Sequence, residues 1–400
     1  MAPAEMPAGM RREDRAIVAP LGFLHGVVHA NLLAIPVFLL AWRTEFGAGD
    51  VTLGLLAATA YACFGLSSVP FGFLADRRDP STLLIACAGG IAASLAAVAL
   101  SPSLLPLEAS LAALGLASGI YHPTALAAIS RTVEEQGRGM GWHGMGGSLG
   151  IAFGPAFATA TLTMGWSWRT TVGLLGLLPL VATLVLAVRP VAASARSPSS
   201  DPRPSFRSLA TLPYARMILV YLFAGFAYQG SLAFLPRFVG PGIFALALGL
   251  GAIGQVIAGM LADRRRPDQI LFSLSLAAAV LLGLLALLAG PMGPAPSGSD
   301  SFVSRLWTPF AVAALAFGFF LFSLEALQNT LVTHAVPREI RGFAFGLTFL
   351  SVFGLGSVGA AAAGWLMSRG DSSLLFLLLA VSLALSGSVA LGRRKIEGRS

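Results

Sequence analysis

Residues Gly72–Pro80 read GFLADRRDP, and residues Gly259–Pro267 read GMLADRRRP. The two stretches differ only at their second and eighth positions. Charged residues make up 11% of the chain, so a charged segment repeated this closely marks an internal duplication rather than a chance of composition. Each copy follows a long apolar run and precedes another. What those runs are decides the fold.

Hydrophobic residues account for 56% of the 400, and the mean hydropathy is +0.79. Soluble domains sit near about 45–50% apolar and about 25% charged, so a soluble globular fold is excluded. Apolar stretches of roughly 20 residues, each enough to cross a bilayer as one helix, recur along the chain, and twelve are predicted. The charged copies then follow the second helix of each half. The expected fold is an all-α polytopic membrane protein with twelve transmembrane helices in two pseudo-symmetric six-helix bundles, since internal symmetry of this kind marks secondary transporters. The expected division is an N-terminal segment 1–16, a first bundle 17–188, a linker 189–213, a second bundle 214–392 and a tail 393–400. The linker contains RSPSSDPRPSFRS, whose polar, Pro- and Ser-rich composition suits a boundary. The tail contains Ile396-Glu397-Gly398-Arg399, which matches a commonly engineered protease site.

The net charge of +8 invites a nucleic-acid reading, but its distribution argues for topology. With the N-terminus placed inside, only Arg43, Arg169, Arg237, Arg305 and Arg369 of the 26 lysines and arginines fall on the outer side. That bias predicts cytoplasmic termini by the positive-inside rule, and no nucleic-acid partner. The first apolar run is long and lacks a small-residue cleavage site, so it reads as a retained helix. Cys63 and Cys87 both fall inside predicted helices, which gives no disulfide framework or zinc site.

The repeated segment resembles the signature that follows the second helix in the major facilitator superfamily, G-x-L-A-D-R-x-G-R-K. Gly72, Leu74, Ala75, Asp76 and Arg77 match it, and so do Gly259, Leu261, Ala262, Asp263 and Arg264. Asp79 and Pro80 depart from its tail. A fifth-helix signature common in exporters is matched by Gly141, Gly150, Gly154 and Pro155, with Ala158 and Thr159 in place of the closing glycines. Within that superfamily the N-terminal half is similar to fosmidomycin-resistance-type exporters, through Glu45-Phe46, Gly119-Ile-Tyr-His-Pro123 and the run Arg138–Pro155. It lacks two carboxylates of such relatives, having Ala30-Asn31 in helix one and Thr124 after His122-Pro123. The resemblance implies a multi-pass protein of a bacterial inner membrane.

Asp76 and Asp263 have a plain reading, in which Arg77, Arg78 and Arg264–Arg266 hold the loops inside and the carboxylates offset their repulsion. The resemblance implies more. Each Asp would accept hydrogen bonds from the start of a helix in the other half, where the dipole favours an anion. Asp76 would meet the eleventh helix at Arg341-Gly342, and Asp263 the fifth at Arg138-Gly139. Gly72 and Gly259 would allow the close approach, forming a conformational latch with Arg77, Arg138, Arg264 and Arg341.

Deep polar residues are few and informative. Glu325, in FFLFSLEALQNTL, is the carboxylate set deepest in an apolar span. A charge there costs about 2.5–3.5 kcal/mol or more, so it should face a cavity or the protein interior, where it is a candidate proton carrier. Gln328 and Asn329, at i+3 and i+4, extend the same face. His25 and His29 share a face of helix one, with Asn31 nearby. Tyr121 and His122 lie in helix four, and Tyr228 and Gln229 in helix seven. The resemblance implies that helices one, four, seven and ten line the central cavity, and these residues lie on those four. His122 and His143 have a plainer reading as interhelical hydrogen-bond partners. A metal face at His25 and His29 lacks an accompanying Cys or carboxylate, so no metal is expected. Gly146, Gly150 and Gly154, with Pro155, form a smooth face for close helix packing, and Gly346, Gly354, Gly356 and Gly359 a matching one. Rocking between bundles would use these faces.

No nucleophile triad, phosphate loop or metal cluster stands out, so neither an enzyme nor a cofactor is expected. The leading expectation is proton-coupled export of a small organic compound by a monomer in lipid. An importer on the same fold, or a non-transporting receptor or scaffold, are the alternatives.

Overall fold

The computed structural model describes residues 10–191, 206–289 and 306–391. The first nine residues, 192–205 of the linker, 290–305 and the tail from 392, with its protease-like site, lie outside the described residues. All regular structure among the described residues is helical. In chain order the crossing helices are α1 (Arg12–Phe46), α2 (Asp50–Ala75), α3 (Pro80–Leu100), α4 (Leu104–Thr132), α5 (Gln136–Thr163), α6 (Trp168–Val188), α7 (Leu212–Val239), α8 (Pro241–Ala262), α9 (Pro267–Ala289), α10 (Pro309–Ala335), α11 (Arg338–Ser368) and α12 (Ser372–Ala390).

All but α5 are apolar enough to cross a membrane on hydropathy. α5 qualifies on length, since its 28 residues extend about 42 Å at 1.5 Å per residue. Its hydropathy is diluted by the glycines and His143 that its neighbours require.

The repeated segment is the same turn twice. The N–H groups of Arg77 and Arg78 both donate to Leu74 O, at 2.9 and 2.8 Å, and those of Arg264 and Arg265 donate to Leu261 O, at 3.1 and 3.0 Å. Pro80 and Pro267 then open the next helix at a position where a missing N–H costs nothing. Asp79 also caps α3 by accepting from Thr82 N at 3.0 Å.

Two helices are interrupted. α4 breaks between Ser118 and Tyr121, because Pro123 supplies no N–H for the carbonyl four residues earlier. Thr124 Oγ1 donates to the neighbouring Ile120 carbonyl at 2.7 Å. α11 widens into a π-helical turn over Leu350–Leu355, a feature frequent at functional sites. Cys63 and Cys87 lie in α2 and α3 as free thiols.

The expected glycine face of α5 packs inside its own half. Gly146, Gly150 and Gly154 meet the backbone of Gly22, Gly26 and Ala30 on α1, and a Cβ added at Gly26 would lie 2.9 Å from Gly146 O. Gly356 and Gly359 of α11 face Gly225 and Phe226 of α7 in the same way. The halves meet on other rows. Gly137 and Gly141 of α5 lie against Gly259 and Gln255 of α8, while Gly342 and Gly346 of α11 lie against Gly72 and Ser68 of α2. The contact between halves expected at Gly146, Gly150 and Gly154 therefore lies instead at the Gly137–Gly141 row. Glycine spacing reveals a smooth face but not which helix covers it.

Gly150→Val should destabilise the protein by about 1–3 kcal/mol, the usual cost of overpacking, seen as a lower melting temperature in detergent. Gly173→Val, where an added Cβ has nothing within 4 Å, should leave it unchanged.

Candidate functional site

Two carboxylates join the halves at the arginine-rich end. Asp76, closing α2, accepts from the N–H groups of Gly342 at 2.7 Å and Phe343 at 2.9 Å, at the start of the helical segment Arg341–Phe349. Asp263, closing α8, accepts from Gly137 and Arg138, both at 2.7 Å, at the start of α5. These N–H groups have no partner within their own helix, and the helix dipole adds attraction for an anion. A Cβ at Gly342 would fall 2.7 Å from Asp76 Oδ1, and one at Gly137 would fall 2.9 Å from Asp263 Oδ1, so glycine is required at both.

Asp76 is also ion-paired with Arg131 at the end of α4. Burial pushes its carboxyl above the ordinary range, and Arg131 with the two N–H groups pulls it back. Arg131 Nε donates to Arg338 O at 2.9 Å, and Thr333 Oγ1 donates to Gln136 Oε1 at 2.7 Å, so further bonds cross between halves at this end. Of the arginines expected in the latch, Arg138 pairs with Glu135. Arg341 donates to Thr333 O at 2.6 Å and, across the halves, to Ser130 O. Arg77 lies over the Phe73 ring and donates to Phe73 O at 3.0 Å, and Arg264 is exposed. Arg131 was not foreseen, although an arginine directly after an apolar run was the available signal. At the opposite end Glu45 joins α1 to α6 within one half. Trp168 and Arg169 hold its carboxyl below the ordinary range.

Between the halves lies a cavity of about 70 Å³. His25 and His29 of α1, His122 of α4, Tyr228 of α7, and Glu325 and Gln328 of α10 line it. Tyr221, Phe349, Val352 and Phe353 also line it and were not foreseen. The last two come from the π-helical turn, which sequence pattern does not reveal. The other expected residues stand elsewhere. Asn31 donates to Val27 O of its own helix at 2.8 Å. Tyr121 donates to Leu21 O and contacts His143 Nε2 at 2.9 Å. Asn329 accepts from Tyr221 at 2.6 Å behind the wall, and Gln229 is half-buried outside the lining.

The histidines form one cluster. His25 Nδ1 lies 2.9 Å from His143 O, His25 Nε2 lies 3.0 Å from His122 Nε2, and His29 Nε2 lies 3.1 Å from His25 Nε2. Each ring is at most 5% exposed. Phe64 of α2 and Phe349 of α11 pack against His122, and Phe353 lies beside His29. The second polar group is Gln255 of α8. Its amide donates to Ser148 Oγ of α5 at 2.8 Å and approaches Glu325 Oε2 at 3.3 Å. It therefore ties the carboxylate to the other half. A lone glutamine in the apolar run GLGAIGQVIAGM was the signal for it.

A family model described as Major Facilitator Superfamily matches residues 21–358. Among solved structures, the chain is similar to the E. coli fucose:proton symporter FucP, with a TM-score of 0.69 and 14% identity over 95% of this chain and 98% of that one. It is also similar to the human organic anion transporter MFSD10 (TETRAN), with a TM-score of 0.66 and 18% identity over 95% of this chain and 100% of that one. No curated protein matches it in sequence.

Gln255→Leu and Ser148→Ala should each lower the melting temperature in detergent. Their combined effect should fall short of the sum by about 0.6–2 kcal/mol, the range for one interhelical hydrogen bond in a membrane, measured by a double-mutant cycle.

Proposed function

The chain belongs to the major facilitator superfamily, and from that premise we propose a proton-coupled exporter of a small organic compound, working by alternating access as a monomer. The observation that carries this reading is a cavity to which both halves contribute polar side chains, closed at the arginine-rich end by the two aspartate contacts. The excess of Lys and Arg at that end supports a cytoplasmic side for it and for both termini, and the resemblance supports a bacterial inner membrane. Asp76 and Asp263 then act as the latch of the state closed to the cytoplasm, and the latch opens as the halves rock. At about 70 Å³ the cavity is smaller than the roughly 300–1,000 Å³ of drug-sized sites. Cargo of that size is held only after the halves move apart.

Glu325 is the proton carrier in this reading. It is the carboxylate among the cavity-lining residues, and the Gln255 amide at 3.3 Å connects its charge state to the opposite half. Proton coupling has a precedent on this fold in the protein named as a fucose:proton symporter. The resemblance of the N-terminal half to drug exporters supports the outward direction. Flux in inverted vesicles distinguishes export from import, and a protein that binds cargo without flux would be a receptor or scaffold.

With a compound selected by a thermal-shift screen, Glu325→Gln should reduce flux driven by a pH gradient at least about tenfold. Exchange of that compound at equal pH should persist, because only the proton step is removed; unchanged gradient-driven flux would exclude Glu325 as the carrier. Asp76→Asn should weaken charge-assisted bonds worth about 1.5–3 kcal/mol. Labelling of a Thr330→Cys reporter by a membrane-impermeant thiol reagent from the cytoplasmic side, in a chain with Cys63 and Cys87 replaced, should then quicken about tenfold. Unchanged labelling would remove the latch.

A further inference from the structure

Four of the chain's five histidines meet in one cluster, and their hydrogen-bonding capacity does not balance. His143 O can only accept, so His25 Nδ1 carries the proton and donates to it. A neutral His25 then offers a single lone pair at Nε2. Two nitrogens point at that lone pair, Nε2 of His122 at 3.0 Å and Nε2 of His29 at 3.1 Å. One lone pair makes one good hydrogen bond, which leaves one nitrogen in excess. A buried polar nitrogen left in this way calls for a ligand or a function.

A shared proton would join two of the rings and leave the third unsatisfied. A metal ion takes a lone pair from all three. Tetrahedral zinc with Zn–N bonds of about 2.0–2.1 Å holds its nitrogens roughly 3.3 Å apart. The ligand atoms of His25, His29 and His122 all lie within 4.8 Å of one another, and two of the three separations are already 3.0 and 3.1 Å. The bond from His25 Nδ1 to His143 O is the outer-shell contact that orients a metal-binding imidazole.

We propose that His25, His29 and His122 form a three-imidazole site for one divalent transition-metal ion of the zinc class, bound in transit either as the free ion or within a small organic chelate. The assignment as cargo rests on the reading of this cavity as the transport cavity. The three rings line its wall, so the space beside them is the cavity itself. Three imidazoles leave the fourth position of a tetrahedral ion open, for water or for a donor atom of the chelator. Glu325, lining the same cavity from the other half, supplies a counter-charge. Helical spacing alone pairs His25 with His29. The break before Pro123 turns His122 toward them and completes the set.

The test uses the full chain without a histidine tag, metal-free in detergent, titrated with Co²⁺ alone and with Co²⁺ and one equivalent of citrate. The expected result is one ion per chain in at least one arm, with the visible absorption of tetrahedral Co²⁺ displaced by Zn²⁺. The arm that binds identifies the form carried. His29→Asn and His122→Asn, which keep a polar side chain of similar reach, should weaken binding at least about tenfold, by analogy with the 10–100-fold losses seen even for outer-shell changes. His334→Asn, outside the cluster, should bind as the unaltered chain does. Melting curves establish that each variant is folded. Absence of binding in both arms, or binding indifferent to His29→Asn and His122→Asn in folded protein, overturns the site. The readout is equilibrium binding, so its failure is separable from failure of transport. Flux without metal binding would reject this inference alone, and metal binding without any flux would reject the transport reading.

Discussion

A carboxylate facing the two free N–H groups of a helix start is the contact on which the arrangement of the halves depends. It occurs twice, at Asp76 and Asp263, each after the second helix of one half and each bonded to the other half. A helix start buried between two bundles would otherwise leave its first N–H groups unsatisfied in a low-dielectric region. The duplicated segment answers this requirement by the same means on both sides. Glycine at 342 and 137 follows from it, because a Cβ there would collide with the carboxylate. The Gly72 and Gly259 rows follow too, because backbones must approach closely for a side chain as short as aspartate to reach across.

With one end joined, polar groups between the halves can bond to each other within the membrane. Gln255 spans from Ser148 to Glu325, and the histidines lie beside them. Irregular backbone is tolerated at membrane depth where it is enclosed by protein or lines a cavity. Both interruptions obey this rule. The break in α4 sets His122 in the cavity wall, and the π-helical turn of α11 sets Val352 and Phe353 opposite it. The glycine-dense packing of α5 on α1 keeps the histidine-bearing helix close enough for the His143 carbonyl to orient His25.

Much of the fold was legible. Apolar length and hydropathy identified the helices because a bilayer imposes length and apolarity on each one separately. The weakest hydropathy belongs to α5, whose glycines serve its neighbours and not the lipid. The site was legible by residue type and only partly by place. His25, His29, His122, Tyr228, Glu325 and Gln328 line the cavity between the halves, because a costly polar residue in an apolar span has few places to face. Asn31, Tyr121 and Asn329 bond elsewhere, to the α1 backbone or to Tyr221 behind the wall, and Gln229 lies outside the lining. Arg131, Tyr221 and Gln255 went unrecognised because their partners are remote in sequence.

The sequence by itself determined the helical membrane fold, its two related halves and the end at which positive charge gathers. These follow from local rules: apolar length, an internal repeat and charge at span ends. Tertiary structure alone decided that the glycine face at 146, 150 and 154 belongs within one half while the row at 137 and 141 lies between halves. It also decided that three histidine nitrogens converge on one point. Both depend on the rotation of each helix about its axis, and that rotation is set by the neighbour it packs against, which a single strand of sequence does not contain.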